Sequence, residues 1–290
     1  MRRRMTALLA SLSLCAGGCG VAYSKTSDPP SPWNRERFLR AHPNASPQPS
    51  FGGTPSASPA TNGPRRVGAI FSQNAQGDHF CTASPVASPF GNLLITAAHC
   101  ITDSNGGYNS NIVFVPGYDN GQTPYGVWSV AALLVDPHWA NGGDPDYDVG
   151  FVILAPDGGK SLAQVVGANT VAFDTPYGQV VGVTGYPASS NVAITCTNKT
   201  TQQAQNQMRF ACNGYFEGTS GSPWVVRGTH EVVGIIGGYQ QGGVLQEISY
   251  SPYFGAAIQS LYDRALGESA QIVREEMSPT PAALSPSSSP

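Results

Sequence analysis

The sequence predicts an all-β fold, a barrel or a sandwich, for the globular part of this 290-residue chain. Its 34 glycines and 24 prolines favour turns, and its four methionines and sparse helix-forming runs do not favour a helical bundle. Short apolar runs recur between these turn formers, as in strands joined by tight connections. We expect strands at 67–71, 92–96, 111–115, 125–135, 149–154, 180–185, 208–212, 223–226, 232–238 and 245–250.

One helix is expected near the C-terminus. Pro252 suits its first turn, Gly267 can cap its end, and one apolar stripe runs between them. That stripe consists of Phe254, Ala257, Ile258, Leu261 and Ala265. We expect residues 267–290, which end in SPTPAALSPSSSP, to form a disordered tail.

Residues 1–25 predict a signal peptide ahead of a domain at 67–266. The arginines Arg2–Arg4 precede a short apolar stretch and then small residues, which is the pattern of an export signal. The apolar stretch is too short for a membrane anchor. A lipid anchor at Cys19 stays open, because the preceding AGG resembles the lipobox of bacterial lipoproteins.

Residues 26–66 are rich in Pro, Ser, Asn and Ala and predict a disordered segment, apart from one short helix at 32–40. The segment is either a removable pro-segment, ending at Arg65–Arg66, or a linker. The chain ahead of Val67 is basic as a whole, since nine of the 15 Lys and Arg but only two of the 18 Asp and Glu precede that residue. The remainder therefore carries six basic and 16 acidic residues, a balance that does not favour nucleic-acid binding. The same charge difference would allow a basic leader to dock on the acidic domain.

Cysteine usage agrees with export. Cys15 and Cys19 fall in the signal region, and an oxidising compartment favours disulfides over free thiols for the other four. Four cysteines can be connected in three ways. We expect the way that joins sequence neighbours, which gives the disulfides Cys81–Cys100 and Cys196–Cys212. No Cys/His spacing predicts a zinc site, and we expect no metal or cofactor.

Three segments together predict a nucleophilic site. In LLITAAHC, His99 stands at a strand end, although a lone histidine is more often a surface or core residue. In DPDYDVGFVIL, Asp148 abuts a buried run, although acid clusters are usually polar loops. The stretch GTSGSPW at 218–224 would alone be a turn, but a serine in it becomes a nucleophile if His99 takes its proton and Asp148 orients His99.

These motifs resemble those of the trypsin-like, chymotrypsin-fold serine peptidases. TAAHC and DYDVG match the family's histidine and aspartate motifs, and GTSGSP resembles GDSGGP, which makes Ser220 and not Ser222 the nucleophile. The resemblance covers roughly 67–266 and implies two packed antiparallel β-barrels with the active site in the cleft between them. The segments at 185–187 and 237–243 look like the secreted bacterial branch that includes glutamyl endopeptidases.

The resemblance also implies a substrate site. The backbone N–H groups of Gly218 and Ser220 would form the oxyanion hole. The implied substrate-binding residues are Gly214, Tyr215, Phe216, Glu217, Ile236, Gly237, Gly238 and Tyr239. Thr219 replaces an aspartate that pairs with the new N-terminus in animal trypsins, so that activation switch is not expected. Residues 237–239 replace the usual SWG, where we expect backbone pairing with substrate to persist.

Substrate preference is expected to be broad or apolar, with at most a weak basic component. Ile236 stands where glutamyl-specific relatives carry a histidine, and the pocket base lacks the aspartate of trypsins. Glu217 either repels acidic substrate side chains or points into solvent. We expect a secreted, monomeric serine endopeptidase acting on peptides or proteins. The alternatives are a catalytically silent binding or adhesion relative, which an intact triad disfavours, and an esterase on the same fold.

Overall fold

The computed structural model describes residues 33–43, 55–60, 64–103, 106–156 and 159–277. The predicted signal peptide, Cys19 and the end of the predicted tail lie outside these residues. The helices are α1 (Arg35–Arg40), α2 (Pro137–Gly142), α3 (Leu162–Val166) and α4 (Ala256–Met277). The strands are β1 (His42–Pro43), β2 (Ser58–Pro59), β3 (Gly68–Asn74), β4 (Gly77–Val86), β5 (Leu93–Thr96), β6 (Ser110–Pro116), β7 (Trp128–Val135), β8 (Gly150–Leu154), β9 (Thr170–Val171), β10 (Val180–Gly185), β11 (Ile194–Lys199), β12 (Thr201–Ala204), β13 (Gln207–Ala211), β14 (Pro223–Val226), β15 (Glu231–Ile235) and β16 (Ile248–Pro252).

The N-terminal half of the domain is a closed antiparallel barrel. Its strands follow the order β4-β3-β6-β7-β8-β5, and β5 pairs back onto β4. Strands β5 and β8 are buried along their whole length, because the barrel core covers one face and α4 packs against the other. Burial on both faces explains why their sequences, LLIT and GFVIL, are continuous apolar runs without alternation.

The C-terminal half contains a six-stranded sheet, β2-β11-β10-β14-β15-β9, and a three-stranded sheet, β12-β13-β16. Both sheets face one core, in which the ring of Phe210 on β13 lies 5.6 Å from that of Trp224 on β14. Every strand pairing given for the described residues is antiparallel except β1 with β4 and β15 with β9. These two halves form the two-barrel architecture that the resemblance implied.

Of the segment 26–66, the structure describes 33–43, 55–60 and 64–66, and the prediction of disorder is wrong for these residues outside the expected helix. We call residues 33–43 and 55–60 the leader segment. The short helix expected at 32–40 is present as α1, and Asn34 Oδ1 caps it by accepting from the Arg37 N–H. Strand β1 then pairs with β4, and β2 pairs with β11. The leader segment is therefore folded onto both barrels.

The C-terminal helix begins and ends later than predicted. Strand β16 runs through Pro252, and α4 spans Ala256–Met277. Gly267 lies on the exposed face inside α4, where an added Cβ would meet nothing, so it does not cap the helix. The prediction of a disordered tail is therefore wrong from Gly267 to Met277.

The apolar stripe of α4 packs on the N-terminal barrel. Ile258, Leu261 and Ala265 are buried there, whereas Ala257 is exposed. Beyond the predicted end, Ser269 Oγ donates a 2.8 Å hydrogen bond to Asn92 Oδ1, and the helix stays in contact with the barrel. Among the described residues, no helix combines the length and apolar character needed to cross a membrane.

Candidate active site

His99 and Asp148 are joined by two hydrogen bonds. His99 Nδ1 donates to Asp148 Oδ2 over 2.8 Å, and the His99 backbone N–H donates to Asp148 Oδ1 over 3.0 Å. His99 lies in the short 3₁₀ turn Ala98–Cys100 after β5, and Asp148 lies two residues before β8, the neighbouring strand. Because a carboxylate only accepts, His99 Nδ1 carries a proton, and in the neutral form of the ring Nε2 is then an acceptor.

Asp148 is fully buried, and its carboxylate receives a third hydrogen bond from the Gly238 backbone N–H at 2.9 Å. Three donors offset the cost of burying the charge. Asp146, the neighbouring acid, instead accepts from Asn206 Nδ2 and Gln207 Nε2. Of these two acids, Asp148 is thus the one that contacts His99.

Both predicted disulfides are present. Cys81 on β4 is bonded to Cys100, which directly follows His99. Cys196 on β11 is bonded to Cys212, just after β13. The first disulfide fixes the turn that carries His99. The second connects β11 with the end of β13, in the C-terminal half of the domain, which also carries Ser220.

Residues 218–222, which we call the serine loop, contain two glycines with left-handed backbone conformations. Gly218 has φ +85° and Gly221 has φ +81°. A Cβ on Gly218 would clash with the Phe80 ring, and one on Gly221 would clash with the carbonyl oxygen of Thr82. The loop therefore needs glycine at both positions, on either side of Ser220.

Ser220 and Ser222 have different surroundings. Ser220 lines a cavity together with His99. Ser222 is fully buried, and its hydroxyl donates to the Thr219 carbonyl oxygen over 2.6 Å. Thr219 is also buried, and its own hydroxyl donates to the Phe216 carbonyl oxygen. This bond stabilises the loop from within, at the position where animal trypsins carry an aspartate.

The backbone N–H groups of Gly218 and Ser220 are candidates for binding an oxyanion. Across the described residues, neither N–H donates a hydrogen bond to another group of the chain, whereas those of Thr219, Gly221 and Ser222 all do. Two N–H groups on one glycine-rich turn thus remain available beside Ser220.

The cavity at Ser220 has a volume of about 210 Å³. Of the predicted substrate-binding residues, Tyr215, Phe216, Glu217 and Ile236 line it. Burial raises the pKa of the Glu217 carboxyl, and Oε1 of this side chain has no hydrogen-bond partner among the described residues. The Tyr215 hydroxyl donates to the Val183 carbonyl oxygen and is buried, which raises its pKa.

The other predicted substrate-binding residues lie elsewhere. Gly214 is not part of the cavity lining, and its Cα faces the leader segment, since an added Cβ would lie 3.5 Å from that of Ala57. Gly237 does not line it either, and its backbone N–H donates to the Tyr250 carbonyl oxygen. Gly238 and Tyr239 line a second cavity, of about 900 Å³, which also reaches His99.

The prediction of one strand over 232–238 is wrong at its C-terminal end. Strand β15 ends at Ile235, Gly238 has φ +77°, and Gln240 and Gln241 both have φ +53°. The chain therefore turns away after Gly237, and an extended edge for substrate pairing is absent at 238–241. Gln240 and Gln241 line both cavities. Sequence reasoning missed them, because only the odd glycine spacing of GGYQQGG marked this turn.

Two β-barrels with a His–Asp pair and a serine on a glycine-flanked turn define the chymotrypsin-type serine peptidases. The sequence model of the trypsin family matches residues 53–253, and the chain belongs to this family.

Solved structures agree with this assignment. Protease Anisep from Arthrobacter nicotinovorans is 30% identical, with a TM-score of 0.64 over 74% of this chain and 98% of its own. The thermostable serine protease AL20 from an extremophilic microorganism is 32% identical, with a TM-score of 0.64 over 70% of this chain and 98% of its own. A Glu endopeptidase is 17% identical, with a TM-score of 0.61 over 74% of this chain and 98% of its own, and shows the shared fold. The resemblance to bacterial serine peptidases is thus confirmed.

One curated relative is named an extracellular metalloprotease, from Bacillus subtilis strain 168. It is 30% identical over 96 residues, which is 33% of this chain and 30% of that protein. A metal would need ligands, and Cys81, His99 and Cys100 are the clustered candidates within the described part of the chain. Both sulfurs belong to one disulfide, and His99 Nδ1 is bonded to Asp148. This donor set does not fit a metal ion.

Proposed function

We propose that this protein is a secreted serine endopeptidase that acts through an acyl-enzyme. The observation that supports it most directly is the His99–Asp148 hydrogen bond beside a cavity that Ser220 lines. A serine hydroxyl is a weak nucleophile until a base removes its proton, and His99 is a base that lines the same cavity as the serine.

In the proposed reaction, Ser220 Oγ attacks the carbonyl carbon of the peptide bond while His99 Nε2 takes its proton. Asp148 holds the ring in the required tautomer and stabilises the imidazolium that forms. His99 then gives the proton to the leaving amine, so that the C–N bond breaks and an ester to Ser220 remains. Water attacks this ester with the same proton relay in reverse order and releases the acid.

The N–H groups of Gly218 and Ser220 would bind the negative oxygen of the tetrahedral intermediate. Removing one such donor costs roughly 10²- to 10³-fold in kcat in well-studied hydrolases. Neither N–H group has an acceptor among the described residues, which supports this role. No step of the reaction uses a metal or a cofactor.

Labelling with a fluorophosphonate tests the proposal. The purified protein should react at one serine, and mass spectrometry should place the label on Ser220. Ser220→Ala should lose both label and peptidase activity while keeping the fold, whereas a silent binding relative would not label at all. Turnover of esters without turnover of any peptide would favour the esterase.

Export is part of the same proposal. Two disulfides indicate an oxidising compartment. A lipid anchor at Cys19 is the alternative to free secretion, and mass analysis of the mature N-terminus distinguishes them. We propose a monomer that takes peptide or protein substrates, which size-exclusion chromatography at several concentrations tests.

A further inference from the structure

The aromatic side chains of the leader segment pack with residues of the domain in a hydrophobic cluster that is separate from the two barrel cores. The rings of Trp33 and Phe38 stack 5.4 Å apart, and Phe38 lies 4.5 Å from Phe71 on β3. Phe71 in turn packs edge-on against Tyr118 at 5.3 Å. Trp33 and Phe38 are 9% and 4% exposed, respectively, so they are as buried as side chains of the barrel cores. Aromatic burial of this kind contributes strongly to stability.

An ion pair holds the same stretch in place. Arg37 lies over the Trp33 ring, with its guanidinium carbon 3.9 Å from the ring centroid, and bonds both oxygens of Asp78 on β4. The hydrogen bond from Arg37 lowers the pKa of the Asp78 carboxyl. Trp33 Nε1 also donates to the Asn111 carbonyl oxygen over 2.8 Å. The basic leader thus meets the acidic domain at a specific contact.

This aromatic core continues to the serine loop. Phe80 on β4 lies 6.2 Å from Phe71, and its ring touches the backbone at Gly218. Tyr186, 5.8 Å from Tyr118, places its carbonyl oxygen against the same side of Gly218 as the Phe80 ring. The same glycine carries one of the two N–H groups assigned to the oxyanion. The leader segment therefore packs behind the residues that fix this N–H.

A second contact reaches the wall of the substrate cavity. The Asn213 N–H donates to the Pro55 carbonyl oxygen over 2.6 Å, and the Ala57 N–H donates to the Asn213 carbonyl oxygen over 2.8 Å. Ala57 also lies against Gly214, which leads into the cavity residues 215–217. The two parts of the leader segment thus support two different walls of the active site.

We propose that the leader segment is a positioning element of the active enzyme, which stays docked after any cleavage between Ala60 and Val67 and holds Gly218 in place. This inference rests on the proposed peptidase function. It opposes a removable inhibitory pro-segment, because no described residue of the leader segment lines the cavity at Ser220. Its partner is the surface formed by Phe71, Asp78 and Tyr118 on the barrel of the same chain.

A cleavage experiment tests retention. A specific protease site is placed between Ala60 and Pro64 in the full chain, and the chain is cut after folding. The leader peptide should co-elute with the domain on size exclusion, and kcat should be unchanged. Release under mild denaturant followed by buffer exchange should lower kcat roughly 10- to 100-fold, because small displacements of catalytic groups are costly. Adding synthetic peptide 33–60 back should restore it.

Point variants in the uncut chain separate positioning from simple folding. Phe38→Ala should lower kcat and slow fluorophosphonate labelling, with KM changed less than kcat, in samples that near-UV circular dichroism shows to be folded. Arg40→Ala is the control, because its exposed side chain bonds only Glu36 among the described residues. It should behave like the wild type. Should Phe38→Ala not fold, the cleaved and depleted enzyme gives the same readout.

Each result bears on one proposal. Activity that rises on release of the leader peptide identifies an inhibitor, and activity that stays constant identifies a linker; either overturns the positioning role. Failure of the uncut wild type to label at Ser220 refutes the peptidase function itself. Normal labelling before cleavage, with no change after depletion, refutes only the inference.

Discussion

The hydroxyl group of Thr82 donates a 3.0 Å hydrogen bond to the carbonyl oxygen of Gly218. The Thr82 backbone N–H also donates to the Ser220 carbonyl oxygen over 2.8 Å, and its Oγ1 accepts from the Tyr186 N–H over 2.9 Å. Thr82 is fully buried on β4, in the N-terminal barrel, whereas the serine loop belongs to the C-terminal half. One threonine therefore sets the position of the serine loop relative to the barrel that carries His99.

Thr82→Val should lower kcat roughly 10- to 100-fold, because it keeps the shape and removes the hydroxyl that holds Gly218. It also leaves the Tyr186 N–H without its acceptor, which should cost about 1 to 3 kcal/mol of unfolding free energy. Thr82→Ser keeps the hydroxyl and should retain most activity. Steady-state kinetics and urea unfolding check both effects. Equal kcat for the valine and serine variants would refute the positioning role of the hydroxyl.

Asp148→Asn should reduce kcat/KM by about 10³- to 10⁴-fold, because an amide no longer selects the His99 tautomer that accepts on Nε2. Asp146→Asn is the matched control, since it makes the same change two residues away, where the carboxylate contacts Asn206 and Gln207. It should lose little activity. The measurement is kcat/KM with a peptide substrate for both variants, and comparable losses would mean that Asp148 has no special role.

Sequence patterns predicted an all-β fold, a barrel or a sandwich, because the interior strands are apolar and separated by turn formers. The two-barrel architecture was implied only by the resemblance of the motifs to those of the serine peptidases. They missed β4 and β11, whose sequences GDHFCTASPV and ITCTNK mix polar and apolar residues. Strand β4 has one buried and one half-exposed stretch and contains a proline, so it lacks a clear period. Strand β11 is rich in threonine and lies beside the short β2, where its outward side chains are polar.

Short-range motifs singled out His99 and Asp148, which are in contact, and Ser220, which lines the same cavity as His99. Each motif describes the local backbone that places its side chain. The walls of the cavity were less accessible. Gln240 and Gln241 line it because both adopt the left-handed backbone conformation. Non-glycine residues rarely adopt this conformation, and no sequence pattern predicts it here. Charge alone allowed a basic leader to dock, but the aromatic contacts of the leader segment were missed. Trp33 and Phe38 are two aromatic residues in a long polar stretch, so the average composition of the stretch does not reveal them.

Glu217 should discriminate against permanently negative substrate side chains. Burial raises the pKa of its carboxyl, so the charge is present above this raised pKa and is lost as the pH falls through it. The ratio of kcat/KM for a cysteic acid substrate to that for a glutamine substrate should therefore rise about tenfold on acidification. A ratio of this kind cancels every pH effect that is common to the two substrates. Glu217→Gln should give a high ratio that does not depend on pH.

The matched control for that variant is Glu231→Gln, an exposed carboxylate on β15 that does not line the cavity. It should show the pH profile of the wild type. A flat ratio in the unmodified enzyme would mean that Glu217 points into solvent. Dominant cleavage after Glu or Asp in a peptide library would overturn the expected preference altogether.

The C-terminal half of α4 should contribute to stability although its sequence looked like a tail. Ile272 is 5% exposed, and Ser269 is buried against Asn92. A chain that ends at Leu266 should therefore lose about 2 to 4 kcal/mol of unfolding free energy, since burial of one isoleucine and one hydrogen bond are removed. A chain that ends at Met277 keeps both contacts and should match the full chain. Chemical denaturation of the two truncated proteins measures the difference, and equal midpoints would mean that residues 267–277 only extend from the barrel without packing on it.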